Sequence, residues 1–359
     1  MIKLWFGQIV SVVRLELKKT FFSKRGLWIY LLAFAPVALH VINSAHATRE
    51  SRYLAQIAAK HPISPVAFNE IKNGLSSDQV VEKLGEPYRP PYSQYYRRGG
   101  KQHRIIFYKY TDGKIDFTYH FEDDKLVRTH RSNPNALPQS QLVFATSFQF
   151  YFLRLAVFFG CVGVFVNLFR GEMLDKSLHF YLLTPMRREV LLAGKYFAGL
   201  LATVVIFTSS TALQWWAMLW QFERGIIVDF LASTGWTQFG AYLSVTALAC
   251  VGYGSIFLAV GLLFRNPIIP TAMVLVWESV NPFLPPLMKK TSMIYYLQSL
   301  CPVTAPPDKN MPPLINLLIS PTEPATTLTA VTGIVLLTLF VLVLASRMAR
   351  KLEINYSTD

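Results

Sequence analysis

The residues that could carry chemistry are few and fall in two places. Arg154 and Glu278 are charges inside otherwise apolar runs, and Arg170–Lys195 (RGEMLDKSLHFYLLTPMRREVLLAGK) is a polar, basic stretch between two long apolar ones. A charge inside a membrane span is costly, and it is usually held by a partner or faces a cavity. At about 1.5 Å per helical residue, Arg154 lies roughly 24 Å from Arg170 and Glu278 roughly 20 Å from Arg265, so their depths match. Two readings stay open. Either the two pair or line the exit of a pathway in the outer half of the membrane, or each reaches separately to the outer headgroups. Neither reading is an active site. The chain has no GxxxxGKS/T loop, no GxGxxG after a strand, no HExxH and no GxSxG elbow, so energy must come from another chain or a gradient. Cys161, Cys250 and Cys301 are too few and too scattered for a disulfide framework or a metal site. No metal or cofactor is expected in this chain.

The basic stretch reads as a short helix, a corner and an exit. Leu174, Leu178, Tyr181 and Leu182 share one face at helical spacing, while Glu172 and Lys176 form an i,i+4 pair on another. Thr184-Pro185 breaks the helix and opens the next, and Arg187 and Arg188 lead toward the following span. The apolar face needs a surface to lie on. A soluble partner, the membrane surface and the chain's own N-terminal helix are all candidates.

Composition fixes the setting of these residues. Of 359 residues 52% are hydrophobic and 16% charged, a membrane profile that excludes an ordinary soluble enzyme. The net charge of +14 sits beside apolar runs, at Lys18, Lys19, Lys24 and Arg25, at Arg187 and Arg188, and at Arg347, Arg350 and Lys351. That pattern orients spans by the positive-inside rule and does not call for nucleic acid. Residues 1–26 read as an amphipathic helix in the headgroup layer, with a frayed cytosolic tail as the alternative, and no small-residue cleavage site marks them as a signal peptide. Spans are expected at 27–45, 141–169, 196–220, 236–264, 267–285 and 325–346, with both termini in the cytosol and a tail at 347–359. Residues 170–195 are then cytosolic, and prolines in 286–324 favour short re-entrant or interfacial helices there.

Residues 46–140 change to a polar composition and form a separate α+β domain outside the membrane. Ser76 or Ser77 caps a helix carrying Val80, Val81 and Leu84, which Gly85 and Pro87 stop. Ile115, Phe117, Tyr119 and Phe121 alternate with polar residues as a half-buried strand, joined through Asp112-Gly113 to a strand over Arg104–Tyr110. Asp123 and Asp124 turn the chain into a short strand at Leu126–Thr129. The string GLSSDQVVEKLGEPYRP with this hairpin resembles the small-protein-A and beta-lactamase-inhibitor-like modules, which implies a protein-binding or stabilising role.

The string Gly171, Glu172, Asp175, Leu178, Leu182, Leu183, Thr184, Pro185, Arg187, Lys195 resembles the coupling segment of type-2 ABC transporter permeases. ELKKTFFSKRGLWIYLL is similar to their elbow helix, and GLLFRNPIIPTAMVLVW to their turn between the fourth and fifth spans. The sequence departs from that pattern at Lys176, where glycine is common, and in its large external domain. The resemblance implies a membrane all-α fold of six spans, a second permease copy, most simply a homodimer, and a separate ATP-binding subunit that carries ATP and Mg. Carried onto these positions, Glu172, Leu174, Asp175, Leu178 and Leu182 form the docking surface, Pro185 fixes the corner, and Arg187 and Arg188 anchor it.

The expected function is therefore a permease subunit in the plasma (inner) membrane, surrounded by lipid. Apolar, aromatic-rich spans favour export of a lipid, amphiphile or hydrophobic peptide over an ion. A non-transporting scaffold or sensor whose external domain binds a protein is the alternative. An intramembrane hydrolase has no nucleophile and base to support it.

Overall fold

The computed structural model describes residues 2–22, 26–98, 101–174, 187–304 and 323–350. The chain divides into a helical unit (1–40, 141–217 and 224–359) and a smaller unit (41–140 and 218–223).

The helical unit begins with α1 (Ile2–Phe22), which buries Val12 and Glu16 and exposes Phe6, Val10 and Leu15. Helix α2 (Leu27–Lys60) contains the first apolar run and continues past Ala45 to Lys60. Ala, Arg, Glu, Leu and Lys in that extension are good helix formers, so the polarity change at His46 does not end the helix. Four further helices are α5 (Leu137–Met173), α6 (Arg188–Leu219), α7 (Arg224–Leu263) and α11 (Thr327–Arg350). With α2 they make five helices long and apolar enough to cross a membrane, among the described residues. The expected fifth span is a shorter apolar segment, α8 (Ile268–Val280) with a 3-10 turn to Phe283, because Asn281-Pro282 stops it. Two short helices follow, α9 (Pro286–Lys289) and α10 (Met293–Ser299).

An aromatic column along α5 fills the helical core. Phe144 and Phe148 each meet Tyr242 edge-on, Phe144 also meets Trp215, and Phe158 meets Tyr253 and Phe257. Close approach of α7 to α5 depends on Gly261, where a Cβ would stand 2.8 Å from the Val166 backbone. The middle of α5 widens into π-helical turns at Phe148–Val157 and Val162–Val166, and Arg154 lies in the first of them.

The smaller unit carries an antiparallel meander of β1 (Tyr92–Arg98), β2 (Lys101–Thr111), β3 (Asp116–Glu122) and β4 (Lys125–Ser132), in that spatial order. Alternation on β3 points Phe117, Tyr119 and Phe121 into a core shared with Tyr110, Leu126, Phe68 of α3 (Pro65–Asn69) and Val80 and Leu84 of α4 (Ser77–Leu84). Ser76 caps α4 through a capping box with Gln79. Gly113 at φ +94° closes the β2–β3 hairpin, and Asp123 and Asp124, both at positive φ, close the next. The sheet is longer than expected. Strand β4 runs to Ser132, and β1 lacks the period-2 alternation that would have disclosed it.

Candidate functional site

Lys195 lies two turns into α6, fully buried, and its ammonium is the centre of a charged joint. It donates at 2.7 Å to Glu16 of α1, at 2.7 Å to Glu172 at the end of α5, and at 2.7 Å to the Leu168 carbonyl. Lys19, one turn after Glu16, donates to the other oxygen of Glu172 at 3.0 Å. The Phe169 ring lies 5.3 Å from the Lys195 ammonium. Gly194 lets α1 come this close, since a Cβ there would stand 2.9 Å from Val12, which shares the buried face of α1 with Glu16. Burial pushes the Glu16 carboxyl above its usual range, and the Lys195 charge opposes that shift.

The start of α6 is tied down as well. The Arg187 guanidinium stacks 4.9 Å from the Trp5 ring of α1. Arg188 donates to the Arg350 carbonyl at 2.9 Å, satisfying the open C-terminus of α11, and Arg350 forms an ion pair with Glu189. Four elements, α1, α5, α6 and α11, therefore meet around the described ends of the basic stretch, Glu172 and Arg187–Arg188.

The expected docking residues divide accordingly. Glu172 is 7% exposed and bonded inward, so it is not part of an exposed docking face. Arg187 and Arg188 contact Trp5 and the Arg350 carbonyl at the start of α6. Asp175, Leu178, Leu182 and Pro185, together with Lys176, lie outside the described residues, as does the side chain of Leu174. Glu16 escaped sequence reasoning because its partner is 179 positions away. Its signal was present all the same: it is the single acid among the first 26 residues of a basic, amphipathic segment.

Arg154 and Glu278 lie within electrostatic range of each other and of Tyr253, but their direct contacts differ. The Glu278 carboxylate accepts from the backbone N–H of Met293 (3.0 Å) and Ile294 (2.8 Å), from Ser292 Oγ (3.0 Å) and from Tyr253 (3.3 Å). It thus satisfies the first turn of α10 from α8. Arg154 stacks over Phe150 at 5.5 Å, and its buried Nε has no hydrogen-bond partner. No ion pair joins the two among the described residues.

A helical bundle with a basic N-terminal helix tied to the second and third apolar helices agrees with what a sequence comparison finds. The profile of the ABC-2 family transporter protein matches residues 10–332. The chain belongs to the ABC-2 transporter family. It is accordingly a multi-pass membrane protein and a transport subunit of a family that typically works with an ABC ATP-binding subunit. No curated protein and no solved structure matches the chain.

Proposed function

We propose that this chain is the permease of an ATP-driven exporter, dimeric, and coupled to a separate ATP-binding subunit through residues 170–188. ATP and Mg belong to that subunit. The observation that carries the reading is the buried Lys195 joint. Both ends of the segment are held, by Glu172 at one side and by Arg187 and Arg188 at the other. A displacement of the segment would therefore be passed to α1, α5, α6 and α11 together. On this reading Asp175, Leu178 and Leu182 make the docking contact, Pro185 sets the corner, and Glu172 transmits from inside. The basic ends of the spans support a topology with both termini in the cytosol and residues 46–140 outside. The apolar, aromatic interior of the bundle favours a lipid, amphiphile or hydrophobic peptide as substrate.

Co-purification tests the reading. An ATP-binding subunit should be retained by the wild-type chain and lost with Leu178→Asp. If no ATP-binding subunit associates with the folded wild type, the proposal fails. The separately cored sheet domain supports a second reading, a scaffold or sensor that binds a protein through residues 46–140, and that reading would then take precedence.

A further inference from the structure

The smaller unit contains an open cleft of about 380 Å³, within the size range of small-ligand sites. Its walls include Ala45, Thr48, Arg49 and Arg52 from α2, and Trp220 and Gln221 from the turn after α6. The α2 residues fall at i, i+3, i+4 and i+7, so both guanidinium groups lie along one helix face. Neither Arg49 nor Arg52 forms an ion pair among the described residues, whereas Glu50, on another face of α2, pairs with His46 at 3.7 Å. Thr48 is 21 residues beyond Leu27, about 32 Å along the helix, which is roughly the thickness of the hydrocarbon layer. Trp220, 69% exposed, is a residue type that favours the headgroup level. Gln221 is 8% exposed, and its amide donates to Ser140 at 2.8 Å and to the Met218 carbonyl. The amide oxygen is buried with no partner. A buried acceptor without a donor is costly, so a ligand donor would stabilise it.

We propose that this cleft binds the headgroup of a phospholipid, the phosphate held by Arg49 and Arg52 and a headgroup ammonium or hydroxyl directed to Gln221. Two guanidinium groups present several donors in fixed planes to phosphate oxygens. Their placement at the distal end of the first span runs against the usual cytosolic bias of arginine, which fits a ligand-holding role. Binding does not rest on the exporter reading. If that reading holds, the cleft would be where an amphiphile is received.

The full-length purified protein is examined by native mass spectrometry with phosphatidylglycerol, with diacylglycerol, and with soluble glycerol phosphate. Retention of phosphatidylglycerol is expected, with little of either other compound. Arg49→Gln/Arg52→Gln should lower it by about tenfold or more, given the worth of charge-assisted hydrogen bonds. Arg97→Gln/Arg104→Gln, which removes the same charge from exposed positions on the sheet, should leave it unchanged. Trp220→Ala gives a second variant that should also reduce retention. Equal retention in the Arg49/Arg52 variant with an unchanged thermal transition would overturn the proposal, as would equal retention of diacylglycerol. Tight binding of glycerol phosphate would overturn the lipid assignment in favour of a soluble phosphate. No arm uses an ATP-binding subunit, so the outcome is independent of the coupling test.

Discussion

Lys195 donates a 2.7 Å hydrogen bond to Glu16, closing the N-terminal helix onto the third apolar helix across 179 residues of sequence. The ion pair is dry on both sides, and removing one member of such a pair leaves an uncompensated charge.

Lys195→Met should therefore destabilise the protein by about 3–5 kcal/mol, because Glu16 and Glu172 would remain buried without their shared ammonium. The check is the midpoint of thermal unfolding in detergent. Combining it with Glu16→Gln and Glu172→Gln should recover part of the loss, since the repulsive charges are then gone. Equal midpoints for wild type and Lys195→Met would show that the joint contributes nothing.

Gly261→Ala and Gly240→Ala lie on the same helix and should move stability in opposite directions. At Gly240 a Cβ meets nothing within 4 Å, so alanine gains up to about 1 kcal/mol of helix propensity. At Gly261 the Cβ would stand 2.8 Å from backbone atoms of Val166, which cannot rotate away. Overpacking of about 1–3 kcal/mol outweighs the propensity gain there. Paired unfolding measurements of the two variants decide it.

Glu278→Ala removes the acceptor for two backbone amides and two hydroxyl groups. Each buried donor left without an acceptor costs about 1–3 kcal/mol, so a large drop in thermal midpoint is expected. Glu278→Gln keeps one acceptor oxygen and should lose less. Reversing the charges at Arg154 and Glu278 together should restore little over Glu278→Arg alone, because an arginine at 278 cannot accept from the α10 amides whatever charge faces it. Rescue by the double reversal would show that the two are coupled.

His120 on β3 gives the sheet domain a pH dependence. Burial lowers its pKa below 6.5, and Arg128 and His130 push it further the same way. The folded state then binds fewer protons than the unfolded one, so the contribution is complete above the unfolded pKa. It is lost as pH falls through that value toward the folded one. Comparison with a variant at this position isolates the contribution of His120. The denaturant midpoint of the sheet domain should fall between about pH 7.5 and pH 5, and fall less in His120→Asn. Equal falls in both proteins would assign the effect elsewhere.

Much of this architecture can be read from local patterns. Alternation on Phe117–Phe121, the turn at Asp112-Gly113 and the cap at Ser76 each use neighbours two to four positions apart, and each appears in the structure. Apolar runs mark the long helices for the same reason. Features set by distant partners are not legible in this way. Glu172 looked like a surface acid beside Lys176, yet its partners Lys195 and Lys19 come from two other helices. Glu278 matched Arg154 in depth, but depth alone could not disclose the amides of Met293 and Ile294 that it serves. The helix past Ala45 was hidden because polarity, the cue for leaving the membrane, does not measure helix propensity.

The central claim is that residues 170–188 touch an ATP-binding subunit, and a single cross-linking measurement tests it most directly. Cys161, Cys250 and Cys301 are all buried, so labelling with a photoactivatable maleimide can be directed to a cysteine introduced by Leu178→Cys. Irradiation of the membrane-embedded protein should yield a covalent adduct with an ATP-binding subunit, identified by mass spectrometry. Adducts confined to lipid or to residues 2–22 of the same chain would contradict the account.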